Sequence, residues 1–239
     1  MQLDILAFGA HPDDVELSCG GTLLSHIAQG KTAGIIDLTR GELGTRGSVA
    51  LRHEEATEAA RILGVSARDN LGFADGFFAN DPQHQLAVIR SIRQYRPEVV
   101  LTNATDDRHP DHGRACQLVT DSCFLAGLSR IVTYNTQGQI QKPHRPQSIY
   151  HCIQDRLLIP DFVVDVTPFF ERKMEAVLAF KSQFYDPYSV EPNTYITEPS
   201  FLERVRNRHI DFGRPVGFQY AEGFKLARYA GVKNLFHLF

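Results

Sequence analysis

The sequence predicts an α/β protein: a mostly parallel sheet flanked by helices, with an active site at the C-terminal ends of the strands. Three observations lead there. Short apolar runs recur along the chain and end in polar or glycine-rich loops. Longer stretches of helical period follow those loops. The runs themselves are near-continuously hydrophobic rather than alternating, as strands are when helices cover both faces of a parallel sheet.

The elements follow in order. The run "LDILAFG" precedes the helical stretch "VELSCGGTLLSHIAQG", and "AGIIDLT" precedes a glycine-rich loop and the helix "ALRHEEATEAARILG". Next, "QHQLAVIRSIRQYRP" places Leu86, Ile89 and Ile92 at helical spacing and stops before Pro97. The strand "EVVLTN" leads through a charged loop into the helix "HGRACQLVTDSCFLAGL". After Ser129 come two further strands, "SIYHCI" and "DFVVDVT". A helix, "PFFERKMEAVLAFKSQF", then opens on Pro168 with Thr167 as its cap. This β-α-β-α order is Rossmann-like. No repeat and no low-complexity linker divides the chain, so residues 1–239 are expected to form one domain.

Composition narrows the partners. Hydrophobic residues at 43% and charged residues at 22% exclude a disordered chain, and a net charge of -3 provides no field for nucleic acid or an anionic membrane. The start, "MQLDILAFGA", lacks a basic leader, and no apolar run approaches the ~20 residues that span a bilayer. A cytoplasmic protein is expected. Cys19, Cys116, Cys123 and Cys152 form no CxxC pair and read as buried, reduced thiols.

Two loops carry the chemistry. "AHPDD" follows the first strand with His11, Asp13 and Asp14, and "HPDH" follows "VVLTN" with His109, Asp111 and His112. Taken singly, each also fits a helix start, because carboxylates accept backbone N–H bonds at an N-cap and Pro110 suits the first helical position. Together, after two strands of one sheet, they form a donor set for a divalent metal, since two histidines, a carboxylate and water make a catalytic zinc site. Some of these residues would be ligands and others acid–base groups; the spacing alone does not divide them.

The unaltered pair "AHPDD" and "HPDH" resembles the LmbE/PIG-L-like zinc N-deacetylases. "LTRGELGTRGS", "LRHEEATEAARILGV", "DDRHPDHGRA" and "YAEGF" make the chain most similar to the bacillithiol-pathway members, which act on N-acetylglucosaminyl-malate. Many relatives have glutamate directly after the second aspartate; here Val15 intervenes before Glu16, as in the bacillithiol-type members, and Glu16 reads as a helix N-terminal residue. The resemblance implies His11, Asp14 and His112 as ligands of Zn2+, with Fe2+ fitting the same donors, and Asp13 as general base toward the water that the metal activates. It further implies that His109 stabilises the oxyanion or protonates the leaving amine, with Asp111 orienting and charging it. A homo-oligomer, with a hexamer among the candidates, is implied as well.

On the substrate side, arginine forks match the two carboxylates of malate. Arg52 resembles a family arginine that faces substrate, and Arg108 adjoins the second motif. Tyr195, in "NTYITEP", is placed by the resemblance in a mobile stretch whose hydroxyl helps hold the oxyanion. The expected partner is a small sugar conjugate. Another GlcNAc conjugate or a chitooligosaccharide is the alternative substrate, and a Rossmann-like nucleotide-binding module is the non-enzymatic alternative. That module is disfavoured because the first β-α turn lacks GxGxxG and two aspartates would repel a phosphate.

Overall fold

A computed structural model describes residues 1–237. Its strands are β1 (Ile5–Gly9), β2 (Ala33–Thr39), β3 (Ala67–Phe73), β4 (Val99–Thr102), β5 (Ser148–Cys152), β6 (Phe162–Asp165) and β7 (Ala221–Leu226). The helices are α1 (Asp14–Ala28), α2 (Val49–Leu63), α3 (Pro82–Tyr95), α4 (Pro110–Ala126), α5 (Phe170–Leu178) and α6 (Phe201–Gly213). All seven strands join one sheet in the order β3-β2-β1-β4-β5-β7-β6, parallel from β3 to β5 and antiparallel where β7 pairs with β5 and β6. Among the described residues no helix is long and apolar enough to cross a membrane.

The continuous apolar runs have the predicted cause. Ile5, Ala7 and Ile35 join a core with α1, α2 and α5, whereas Leu6, Phe8, Ile36 and Leu38 point the other way into a core with α3 and α4. Alternate residues of one strand thus serve opposite layers, and both must be hydrophobic. All four cysteines are free and buried, as expected.

Some elements lacked the expected signal. β3 reads "ARDNLGF" and is half exposed because it is an edge strand whose only partner among the described residues is β2. β7 and α6 lie in polar-looking sequence where no element was anticipated. The helix expected from Pro168 starts later: Thr167–Phe169 form a 3₁₀ turn and α5 begins at Phe170. Thr167 does not cap it, because its hydroxyl is taken by the Tyr220 backbone at the entry to β7.

The order of the strands places the site. β1 lies between β2 and β4, and the chain winds outward from it in both directions. α1 leaves the end of β1 toward one face of the sheet, and α4 leaves the end of β4 toward the other. The crevice between them is where an α/β sheet binds its ligands.

Candidate metal centre and catalytic cleft

Both motif loops line this crevice, together with Leu43, Gly44, Asp75, Gly76 and Gln154. Asn103, the first residue after β4, ties the two strand ends together: its Oδ1 accepts from Ala10 N–H (2.9 Å) and its Nδ2 donates to Asp14 Oδ2 (3.0 Å). Gln154 donates to Asp14 Oδ1 (2.8 Å) and the His11 N–H to Oδ2 (2.9 Å). Asp14 is thereby fixed, and its oxygens face two imidazoles. His112 Nε2 lies 3.1 Å from Oδ1 and His11 Nδ1 lies 3.5 Å from Oδ2.

The outer nitrogens of those rings are also held by carboxylates. His112 Nδ1 donates to Asp107 (2.7 Å), and His11 Nε2 donates to Asp75 (3.0 Å) with Asp111 3.4 Å away. Such partners orient the rings, and the inner nitrogen would serve a metal once its proton leaves. Two ligands about 2.1 Å from a tetrahedral metal stand roughly 3.4 Å apart, and each of these imidazoles stands near that distance from one of the two Asp14 oxygens. Among the described residues, the groups whose donor atoms all lie within 4.8 Å of one another are His11, His109 and His112, and His11, Asp75 and Asp111; Asp14 is in neither.

The charges follow. Burial lowers the His112 pKa, but Asp14 and Asp107 outweigh it and raise it to about 9. Burial likewise opposes charge on His11, yet Asp111, Asp14 and Asp75 hold its pKa well above the ordinary value. Burial pushes the Asp13 carboxyl up to about 7, despite the opposing charge of Arg52. His109 is lowered, first by burial and then by the neighbouring His11 and His112.

Asp13 is unusual in its backbone. Its φ is 116° in a non-glycine residue, and its side chain makes no cap bond to α1, so the N-cap reading does not describe it. Such strain is kept where the surroundings over-determine the residue, as at active sites. His109, in contrast, does cap α4: its Nδ1 accepts from Asp111 N–H (3.3 Å), and Pro110 follows at the first position. With Nδ1 accepting, the ring proton sits on Nε2.

Three expectations need correction. The Asp111 carboxylate does not orient the His109 ring, which meets the Asp111 N–H instead, and burial with His11 and His112 outweighs Asp111 in opposing charge on that ring. The Asp111 carboxylate accepts from Gly76 N–H (2.8 Å) and Arg114 (2.6 Å) and approaches His11, because α4 turns it under the loop after β3. Arg52 does line the cleft, but it is buried against Asp13 Oδ2 (3.1 Å) and the Pro12 carbonyl (2.5 Å), so its charge is already matched. The Tyr195 hydroxyl lies at the rim, 3.3 Å from Asp155, with the ring between Arg108 and Arg204. Arg108 is where it was expected, half exposed on the cleft wall and bonded to Asp155 (2.7 Å).

Four residues of the cluster escaped the sequence reading. Asp107 and Asn103 stand beside "HPDH", where a polar residue ending an apolar strand was an available signal. Asp75 follows the unrecognised β3, and Gln154 follows β5; nothing local to either marks it.

A family model described as GlcNAc-PI de-N-acetylase, PIG-L, matches residues 6–124. The conserved protein TT1542 from Thermus thermophilus is 35% identical, with a TM-score of 0.83 covering 97% of this chain and 98% of its own. The diacetylchitobiose deacetylase of Thermococcus kodakarensis is 29% identical over 92% of this chain and 82% of its own length. A probable N-acetyl-alpha-D-glucosaminyl L-malate deacetylase 2 of Bacillus anthracis is 24% identical over 75% of this chain and 81% of its own.

Proposed function

Because the chain belongs to the PIG-L/LmbE family of N-deacetylases, we propose that it is a zinc-dependent hydrolase removing the acetyl group from an N-acetylglucosamine conjugate. N-acetylglucosaminyl-malate, in bacillithiol biosynthesis, is the leading substrate. The observation that carries the reaction is a buried Asp13 of raised pKa beside a set of inward-facing donors. Arg108, half exposed on the cleft wall with its Nε on Asp155, has further guanidinium N–H groups to offer a carboxylated aglycone. Diacetylchitobiose has equal support from the relatives, one of which matches 92% of this chain. A homo-oligomer in the cytoplasm completes the proposal.

His11, Asp14 and His112 would hold the metal. When bound, zinc lowers the pKa of water toward about 7 and polarises a carbonyl oxygen. Asp13 accepts the proton of the attacking water, which a carboxyl with a pKa near neutrality does well. Arg52 keeps the Asp13 carboxylate aimed while partly offsetting its burial. His109, neutral and protonated on Nε2, presents a donor to the oxygen that gains charge when the amide is attacked. Asp13 then returns its proton to the departing amine. Asp107 and Asp75 hold the two ligand rings throughout.

The test is amine release from N-acetylglucosaminyl-malate, diacetylchitobiose and N-acetylglucosamine, before chelation, after it, and after zinc is restored. Zinc-restored activity that is highest on the malate conjugate is expected. Preference for diacetylchitobiose would transfer the assignment to chitooligosaccharides, and activity indifferent to chelation would sink the metal mechanism.

A further inference from the structure

Helix α1 is broken. At Cys19 the backbone leaves helical geometry (φ -144°, ψ 15°). The N–H groups of Gly21 and Thr22 would otherwise bond back to Leu17 and Ser18, so the break leaves two donors and the Leu17 carbonyl to be satisfied. Side chains from the far side of the fold supply them. Glu222 of β7 accepts from Gly21 N–H on Oε1 (2.9 Å) and from Thr22 N–H on Oε2 (2.7 Å). Lys173 of α5 donates to the Leu17 carbonyl (2.9 Å) and to Glu222 Oε1 (2.6 Å).

His209 of α6 completes the set. Its Nδ1 lies 2.7 Å from the Val205 carbonyl, which only accepts, so the ring proton is on Nδ1. Nε2 is then free to accept the third Lys173 proton (2.5 Å). Lys173 is 0% exposed, and all three of its protons are matched. An ion pair buried this deeply gains little stability over an apolar pair of the same shape, because desolvation offsets the attraction. What an apolar pair lacks is the ability to serve both sides of a broken helix. The fit is also close: a Cβ on Gly21 would stand 2.8 Å from Val166 and 3.0 Å from Glu222 Oε1.

Between the break and the cleft lies a single turn, Asp14–Ser18, and Asp13 and Asp14 stand at its start. The same turn is anchored sideways by Glu16, which pairs with Arg68 (2.5 Å), itself held on Asp37 (2.8 and 2.9 Å).

We infer that Lys173, Glu222 and His209 are positioning residues that set where the first turn of α1 stands relative to α4, and so hold Asp13 and Asp14 in register with His112. The inference rests on the reading of Asp14 and His112 as metal ligands. It concerns side chains that touch neither metal nor substrate.

The test measures zinc affinity of the full chain by competition with a chelator, alongside Tm and steady-state kinetics well below it. Glu222→Gln keeps the shape but presents an amide NH₂ where three donors need acceptors. Zinc affinity is expected to fall about 10- to 100-fold, the range for residues that orient metal ligands. kcat should fall with it, while KM changes less than about twofold because the wall that meets the sugar is intact. Val88→Ala, which loosens the opposite core from α3, serves as a destabilised control with unchanged zinc affinity. His209→Gln restores an acceptor for Lys173 and should bind zinc like the wild type, whereas His209→Phe should not; this pair decides the matter if Glu222→Gln fails to fold. Wild-type zinc affinity in Glu222→Gln or His209→Phe overturns the inference and leaves the metal reading intact. An equal loss in Val88→Ala also overturns it, by showing general loosening. No zinc binding by the wild type removes the metal reading, and this inference with it.

Discussion

Two clusters of histidine and carboxylate lie on opposite sides of one helical turn, and they are opposite in kind. In the cleft, the outer nitrogens of His11 and His112 are fixed by Asp75 and Asp107, while their inner nitrogens face Asp14 with nothing between. Behind the turn, each proton of Lys173 has its acceptor, and both oxygens of Glu222 are occupied. Residue type does not separate the two clusters. What their bonds serve does: those of the first join side chains that line an open cleft, and those of the second complete a broken helix.

The sharpest way to break this contrast is to remove one aspartate at a time. Asp14→Ala deletes the carboxylate between the imidazoles, so metal content and turnover should both be lost. Asp13→Ala leaves the inner nitrogens and Asp14 in place; metal should be retained while kcat falls about 10²–10⁴-fold, as for loss of a general base. Metal analysis beside kcat separates the outcomes. Turnover by Asp13→Ala at the wild-type rate would remove Asp13 from the chemistry.

The second prediction concerns the closed cluster and acid. Burial alone would raise the Glu222 pKa, but Lys173 outweighs it and holds the carboxyl at about 2, against an ordinary value of 4.5. A depressed carboxylate contributes stability fully above its unfolded pKa and loses it as pH falls toward its folded pKa. The Tm gap between wild type and Glu222→Gln should therefore be full above about pH 4.5 and narrow between 4.5 and 2. The contribution at stake is at most about 3 kcal/mol. Acidic groups elsewhere, Asp75 in the cleft among them, are common to both proteins and cancel in the difference. A gap independent of pH would mean that Glu222 acts through shape rather than charge.

The contrast also explains what was legible in the sequence. The inner strands announced themselves because each is covered on both faces, and the cleft because His11–Asp14 and His109–His112 are contiguous and end such strands. The closed cluster was illegible: Lys173, His209 and Glu222 come from three separate elements, two of them unrecognised. Asp75 was hidden for a related reason, since the edge strand before it has no continuous apolar run. Arg52 was found, but its partner was not, because whether an arginine meets a ligand or a neighbouring aspartate depends on packing across 39 residues of chain.

The smallest expected effect lies at the junction of the two clusters. Asp13 holds φ 116°, a region that costs a non-glycine residue about 1–3 kcal/mol. Asp13→Ala keeps that strain and Asp13→Gly removes it, while both delete the same carboxylate and strand Arg52 equally. Catalysis should be indistinguishable between them, and Asp13→Gly should melt about 2–4 °C higher for each kcal/mol of strain relieved. Thermal melts of the two variants, metal-loaded and metal-free, measure this directly. A Tm advantage for Asp13→Gly in both states would place the strain in the chain itself, maintained by the anchored turn of α1 whether or not the cleft is filled. Equal melting temperatures would mean that the backbone relaxes once the carboxylate is gone, and that the Asp13–Arg52 pair, not the turn behind it, maintains the conformation.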